Sequence, residues 1–184
     1  MIRFTTAKTE SDLTEILTLQ KENLPQNLSS DEARSQGFVT VSHSFELIAE
    51  MNAKNPHIIA KSNDKVIGYA LVMLEHFKNK IPILIPMFDQ INNLNYEGKK
   101  MSNVPYFIMG QVCIAKPFRG KGIFKGLYEK MKIEMSNKFD LVITEVATRN
   151  IRSMKAHEKI GFKTIKEYAT EDAEQWAIIA WGWQ

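Results

Sequence analysis

The chain has 184 residues, 44% hydrophobic and 24% charged, with a formal net charge of +3. That length and apolar content fit one compact domain covering residues 1–184, and the mild charge, with no long basic run, does not argue for nucleic acid, so no nucleic-acid partner is expected. The lone Cys113 excludes an intrachain disulfide, no apolar run approaches a membrane span, and MIRFTTAKTE lacks a signal core, so a cytoplasmic protein without membrane partner is expected, a homodimer being left open.

Residues 2–5 alternate as a first strand. Leu13, Ile16, Leu17 and Gln20 at helical spacing predict a helix over 11–23, capped by Ser11 or Asp12 and ended by Leu24-Pro25. Ser29 and Glu32 have the form of a capping box, but little periodicity follows, and 27–43 stays unassigned. Residues 44–54 read as a helix with Phe45, Ile48 and Ala49 inward. Residues 57–61 and 66–74 form a hairpin around Ser62-Asn63-Asp64-Lys65, a turn without glycine whose type is open.

The stretch 76–105 is the least regular, with Pro82, Pro86 and a turn at Glu97-Gly98. Leu84, Met87, Phe88, Ile91 and Leu94 line one face of a short helix there, in what is either a functional loop or a packing insertion. A strand over 106–114 then runs into a glycine turn, followed by a helix over 120–136 with Ile123, Leu127, Met131 and Met135 on one stripe. A strand over 140–147, a short helix over 150–160, and strands over 162–168 and 176–183 complete the chain. This order predicts an α/β fold, a mixed central sheet with helices on both faces.

Arg119-Gly120-Lys121-Gly122 is the most informative segment. Glycines let backbone N–H groups turn toward a ligand, and the helix N-terminus adds partial positive charge. Arg119 and Lys121 add full charges, so a phosphate-bearing cofactor is expected, although an ordinary strand-to-helix turn has the same ingredients. The spacing is neither the nucleotide loop ending in Lys-Ser/Thr nor the dinucleotide fingerprint. Residues 141–146 form a second strand leading into a short helix, stopped at Gly161-Phe162.

Together the two segments resemble the GNAT superfamily of N-acetyltransferases. Its acetyl-coenzyme A signature, Gln/Arg-x-x-Gly-x-Gly/Ala, reads here Arg119-Gly120-Lys121-Gly122-Ile123-Phe124, with Phe124 in place of the usual small residue. Its later signature reads Asn150, Ser153, His157, Gly161-Phe162, with His157 where many members carry a tyrosine. The resemblance implies a mostly antiparallel sheet with one splayed parallel strand pair. It implies acetyl-CoA as cosubstrate, its pyrophosphate on the N–H groups of Arg119, Gly120, Lys121, Gly122, Ile123 and Phe124. It implies pantetheine pairing along Val112, Cys113 and Ile114, a pantetheine contact at Asn150, and an acid for the leaving thiolate at the position of His157. The expected reaction is direct acetyl transfer to a primary amine, with a small-molecule acceptor the first reading. A protein acceptor and a non-catalytic CoA sensor are the alternatives.

An aliphatic amine has a pKa of ~10.4 and needs a base to become nucleophilic. Glu145, late in a strand and on the face of Ile143, is the candidate base; pairing with Arg149, or plain solvation, is the competing role. Gln111 is a second candidate, as holder of a water. Asn150 is equally suited to cap the helix that follows it. Cys113 is either an acyl carrier or a small buried hydrophobe. His157 near a helix C-terminus is expected to have a raised pKa and to act as imidazolium acid, or else to donate a hydrogen bond or pack. His43, His57 and His76 show no metal-ligand spacing, and His57 and His76 are placed at strand edges.

Overall fold

The computed structural model describes residues 1–27, 39, 41–171 and 173–183, so the capping box sought at Ser29 and Glu32 lies outside the described residues. The chain divides into two compact units: Met1–Val72 with Met109–Glu134, and Met73–Ile108 with Met135–Gln184.

In the first unit, β1 (Ile2–Thr6), β2 (Ile58–Ser62), β3 (Lys65–Met73) and the later part of β6 (Tyr106–Ile114) follow one another in hydrogen-bonded order. The β2–β3 turn pairs Ser62 with Lys65, and Asn63 and Asp64 both have positive φ, 48° and 59°. Those angles make it a type I′ turn, and Asn and Asp are the non-glycine residues that best tolerate them. Helix α1 (Glu10–Glu22) is capped two or three residues earlier than the sequence suggested: the Thr9 hydroxyl accepts from Asp12 N–H, and the Asp12 carboxylate returns to Thr9 N–H. Helix α2 (Phe45–Lys54) is capped by Ser44 and buries Ile48 and Met51. His57 is fully buried, not a strand-edge residue. It accepts Val72 N–H at Nδ1, which makes Nε2 the protonated nitrogen that donates to the Ile48 carbonyl.

Helix α4 (Ile123–Met135) buries Ile123, Leu127, Met131 and Met135, the stripe read from the sequence, and Tyr128 beside it. Its Gly126 has a packing reason: a Cβ there would sit 2.1 Å from the Phe4 ring.

In the second unit, the order is the start of β6, then β7 (Leu141–Ala147), β9 (Gln175–Gly182) and β8 (Lys163–Ala169). Tyr106, Phe107 and Ile108 pair in parallel with Leu141, Val142 and Ile143, while β7–β9 and β8–β9 are antiparallel. The fold is therefore mixed α/β, a mostly antiparallel sheet with one parallel pair and helices. The irregular stretch is ordered into 3₁₀ turns, helix α3 (Ile85–Asn92) and a small hairpin of β4 (Asn95–Tyr96) and β5 (Lys99–Lys100). It buries Phe77, Met87, Phe88, Ile91 and Met101. Helix α5 (Ile151–Ile160) ends at Gly161, whose φ of 118° lets Gly161 and Phe162 N–H both reach the His157 carbonyl. Among the described residues no helix is long and apolar enough to cross a membrane.

Candidate active site

Gly120 and Gly122 hold φ of 75° and 79°, angles that glycine adopts without steric cost. A Cβ on either would meet no protein atom within 4 Å, so the turn presents open backbone. The first hydrogen bond of α4 runs from Gly126 N–H to the Gly122 carbonyl at 3.0 Å, and the N–H groups ahead of it have no intrahelical acceptor. This is a cradle of backbone donors at a helix N-terminus, suited to a phosphate oxygen.

The side chains divide differently from the expectation. Arg119 is held by neutral acceptors that orient its guanidinium without cancelling its charge: its Nε donates to the Ile114 carbonyl at 3.1 Å and its Nη2 to Asn23 Oδ1 at 2.6 Å. It braces the strand end against the C-terminus of α1, where Asn23 in turn donates to the Leu19 carbonyl. Lys121 is exposed over the Phe118 ring and is a second cation at the turn. Ile123 is buried and Phe124 stacks on Tyr128, so both side chains belong to the packing and only their N–H groups face a ligand role.

Val112 and Ile114 are partly buried on β6, and Cys113 between them is buried, its thiol pushed up to about 12 by burial. A buried thiol held above its usual range favours the small-hydrophobe role over that of acyl carrier. Gln111, the candidate holder of a water, is engaged by protein groups at both ends of its amide. Its Oε1 accepts from Gln20 Nε2 at 2.7 Å and Tyr69 hydroxyl at 2.6 Å, and its Nε2 donates to the Val41 carbonyl. Gln20 continues the network to His43, whose backbone N–H donates to Gln20 Oε1. Burial lowers His43 to about 4, so the network is neutral around pH 7.

In the second unit, Glu145 is partly buried on β7 opposite Ile178 of β9. Burial pushes its carboxyl from the usual 4.5 up to about 7, against the pull of a Tyr168 hydroxyl that donates to Oε2 at 2.7 Å. Arg149 is not its partner: Arg149 Nε lies 2.9 and 2.8 Å from the two carboxylate oxygens of Glu174. Asn150 caps α5, its Oδ1 accepting Ser153 N–H at 3.1 Å, which leaves the Nδ2 donor without a partner among the described residues.

His157 departs from expectation. It is 1% exposed, and burial lowers its pKa to about 4, outweighing the helix C-terminal dipole that was expected to raise it. Nδ1 lies 2.8 Å from the Ser153 carbonyl, so Nδ1 carries the proton and Nε2 is an acceptor. A neutral imidazole in that tautomer has no proton to give a sulfur atom, and its ring packs edge-on against Phe162. Tyr168 was missed by sequence reasoning. Its only signal there is a tyrosine near a strand end, and nothing local links it to a carboxylate 23 residues away.

The Acetyltransferase (GNAT) family pattern matches residues 13–162. The fold is shared with the crystal structure of the NatC complex bound to Gag peptide and CoA, at 13% identity and a TM-score of 0.67, covering 100% of this chain and 99% of that one. The ribosomal-protein-S18-alanine N-acetyltransferase from Escherichia coli is similar at 13% identity and a TM-score of 0.64, covering 99% of this chain and 94% of that one. A GNAT-family acetyltransferase from Streptococcus pneumoniae gives 14% identity and a TM-score of 0.64, with 100% of both chains covered. No curated protein sequence matches. The family pattern spans most of the chain, both units included, and the chain belongs to the GNAT acetyltransferase family.

Proposed function

We propose that residues 1–184 work as one N-acetyltransferase domain that moves an acetyl group from acetyl-CoA to a primary amine by direct attack. The observation that carries this reading is Glu145: a partly buried carboxylate whose pKa of about 7 suits it to accept a proton at neutral pH. Acetyl-CoA supplies the acyl thioester. The N–H groups of Gly120 to Phe124 hold its pyrophosphate, with Lys121 adding charge and Arg119 fixing the turn from behind. Main-chain groups of Val112, Cys113 and Ile114 and the Asn150 amide are assigned to the pantetheine arm. Glu145 takes the proton that the ammonium must shed for the neutral amine to attack the thioester carbonyl. His157 contributes as a neutral packed ring; a thiol of pKa ~8.5 departs as thiolate without an obligatory acid.

A small-molecule amine is the first acceptor class to test. A protein acceptor is the second reading, favoured by two similar folds, one described with a bound peptide and the other as a modifier of a ribosomal protein.

CoA at a hundredfold excess over its dissociation constant should stabilise the protein by about 2.7 kcal/mol, read as a rise in Tm. Gly122→Val should remove that rise, because the side chain enters the open cradle and the positive φ disfavours it. Acetyl transfer is then scored against panels of small amines and short peptides. Stabilisation by NAD or ATP but not CoA overturns the cofactor reading. CoA stabilisation with no transfer to any acceptor favours a CoA sensor.

A further inference from the structure

Strand register brings a second residue to Glu145. Directly opposed residues of antiparallel strands share a face, and so do residues two apart on one strand. Glu145 opposes Ile178 and Tyr168 opposes Trp176, so with β9 lying between them, Glu145 and Tyr168 stand on one face. The phenol is long enough to cross β9, and its hydroxyl donates to Glu145 Oε2 at 2.7 Å. Oε1 has no hydrogen-bond partner among the described residues, yet it is not an enclosed atom, so water reaches it.

The charged groups around this pair are few. On β8, Lys166 opposes Ile178 and is exposed. Beyond β8, Glu174 is held by Arg149. The facing residues Trp176 and Ile178 of β9 carry no charge. Burial and the Tyr168 hydroxyl are the influences that set the carboxyl, and burial together with Glu145 pushes the phenol itself above its usual 10. The hydroxyl therefore stays protonated, and a donor, wherever the carboxylate works.

We propose that Tyr168 is the positioning residue of the reaction: it ties down Oε2, aims Oε1 at the amine and keeps Glu145 ionised near neutral pH. This rests on the reading of Glu145 as base. Each part of the geometry has a consequence. Losing a donor to a carboxylate disfavours the charged form, so Tyr168→Phe should raise the Glu145 pKa by about one pH unit. The acid limb of kcat/KM should move up with it, with the rate recovering above pH 9.

The test titrates the full chain, carrying ¹³C-labelled glutamate carboxyls, by NMR, with Glu145→Gln assigning the resonance. The expected result is a Glu145 midpoint near 7 that rises by about one unit in Tyr168→Phe, with the Tm recorded to show that the variant folds. A midpoint unmoved by Tyr168→Phe, or an ordinary carboxylate midpoint in the parent protein, overturns the proposal. Acetyl transfer separates the two layers. If Glu145→Gln turns over normally while the midpoint still moves, the base assignment fails and Tyr168 is no positioning residue. If Glu145→Gln is inactive while Tyr168→Phe moves neither midpoint nor acid limb, the base stands and Tyr168 falls.

Discussion

Replacing Glu145 by Gln should make the protein more stable and less active at once. In the folded state its carboxyl is raised from 4.5 to about 7, so the folded protein holds a proton that the unfolded chain has released. Stability from this group is therefore greatest below pH 4.5, falls as pH rises through the window up to 7, and stays low above it. At about 1.4 kcal/mol per pKa unit the cost of the ionised carboxylate approaches about 3 kcal/mol at pH 8 and is under about 1 kcal/mol at pH 5. Part of the group meets water, so about 1–3 kcal/mol at pH 8 is the figure to test. Glutamine has nearly the same shape, never ionises, and still offers an oxygen to the Tyr168 hydroxyl. Urea unfolding of both proteins at pH 5 and pH 8 gives the difference directly, and contributions from the buried histidines cancel in it. Transfer to a responsive amine should fall by about 10²–10⁴, the range for loss of a general base. A stability gain that is the same at both pH values, or a loss at pH 8, would refute the account of Glu145.

His157→Phe should leave CoA stabilisation intact and change turnover by less than about threefold, with no limb from imidazolium in the pH–rate profile, since the ring is neutral and its proton faces Ser153. A tenfold loss, with activity falling above pH 6.5 in the parent protein, would return His157 to the role of acid. Gly126→Ala should destabilise by roughly 1–2 kcal/mol, measured by urea unfolding, because overpacking against Phe4 exceeds the helix-propensity gain of about 1 kcal/mol. Adding Phe4→Leu should recover most of the loss, and an alanine that stabilises on its own would show that the Phe4 ring has room to move.

The parts of this site that could be read from the sequence are those set by local backbone geometry. Gly120, Gly122 and Gly161 mark positive φ values that a side chain would resist, and each stands where the chain turns between a regular element and a loop. The stripe of Ile123, Leu127 and Met131 fixed the buried face of α4 by periodicity alone. The α1 cap slipped because Thr9 uses Asp12 as the returning carboxylate, a variant of the box that favours Glu or Gln. His57 was placed at an edge because its strand position was legible and its neighbours were not: β2 lies between β1 and β3, and Val72 and Ile48 take up both ring nitrogens.

The larger misses share one physical cause. Arg119 meets Asn23 across 96 positions of sequence, and Glu145 meets Tyr168 across two strand registers. Neither spacing leaves a periodic trace. Yet these distant contacts decide how the charged groups are held. Asn23 and the Ile114 carbonyl fix where the Arg119 guanidinium points, while Lys121 lies exposed over Phe118. Burial with a single phenol donor gives Glu145 a proton affinity near neutrality, while burial takes imidazolium away from His157. Glu145, partly buried, and His157, buried, thus move in opposite directions, because desolvation always penalises the charged form: it makes the carboxyl a better base and the imidazole a poorer acid source. The proposed chemistry of this site follows from that asymmetry, with proton removal from the amine assigned to the protein and sulfur departure to the low basicity of the thiolate itself.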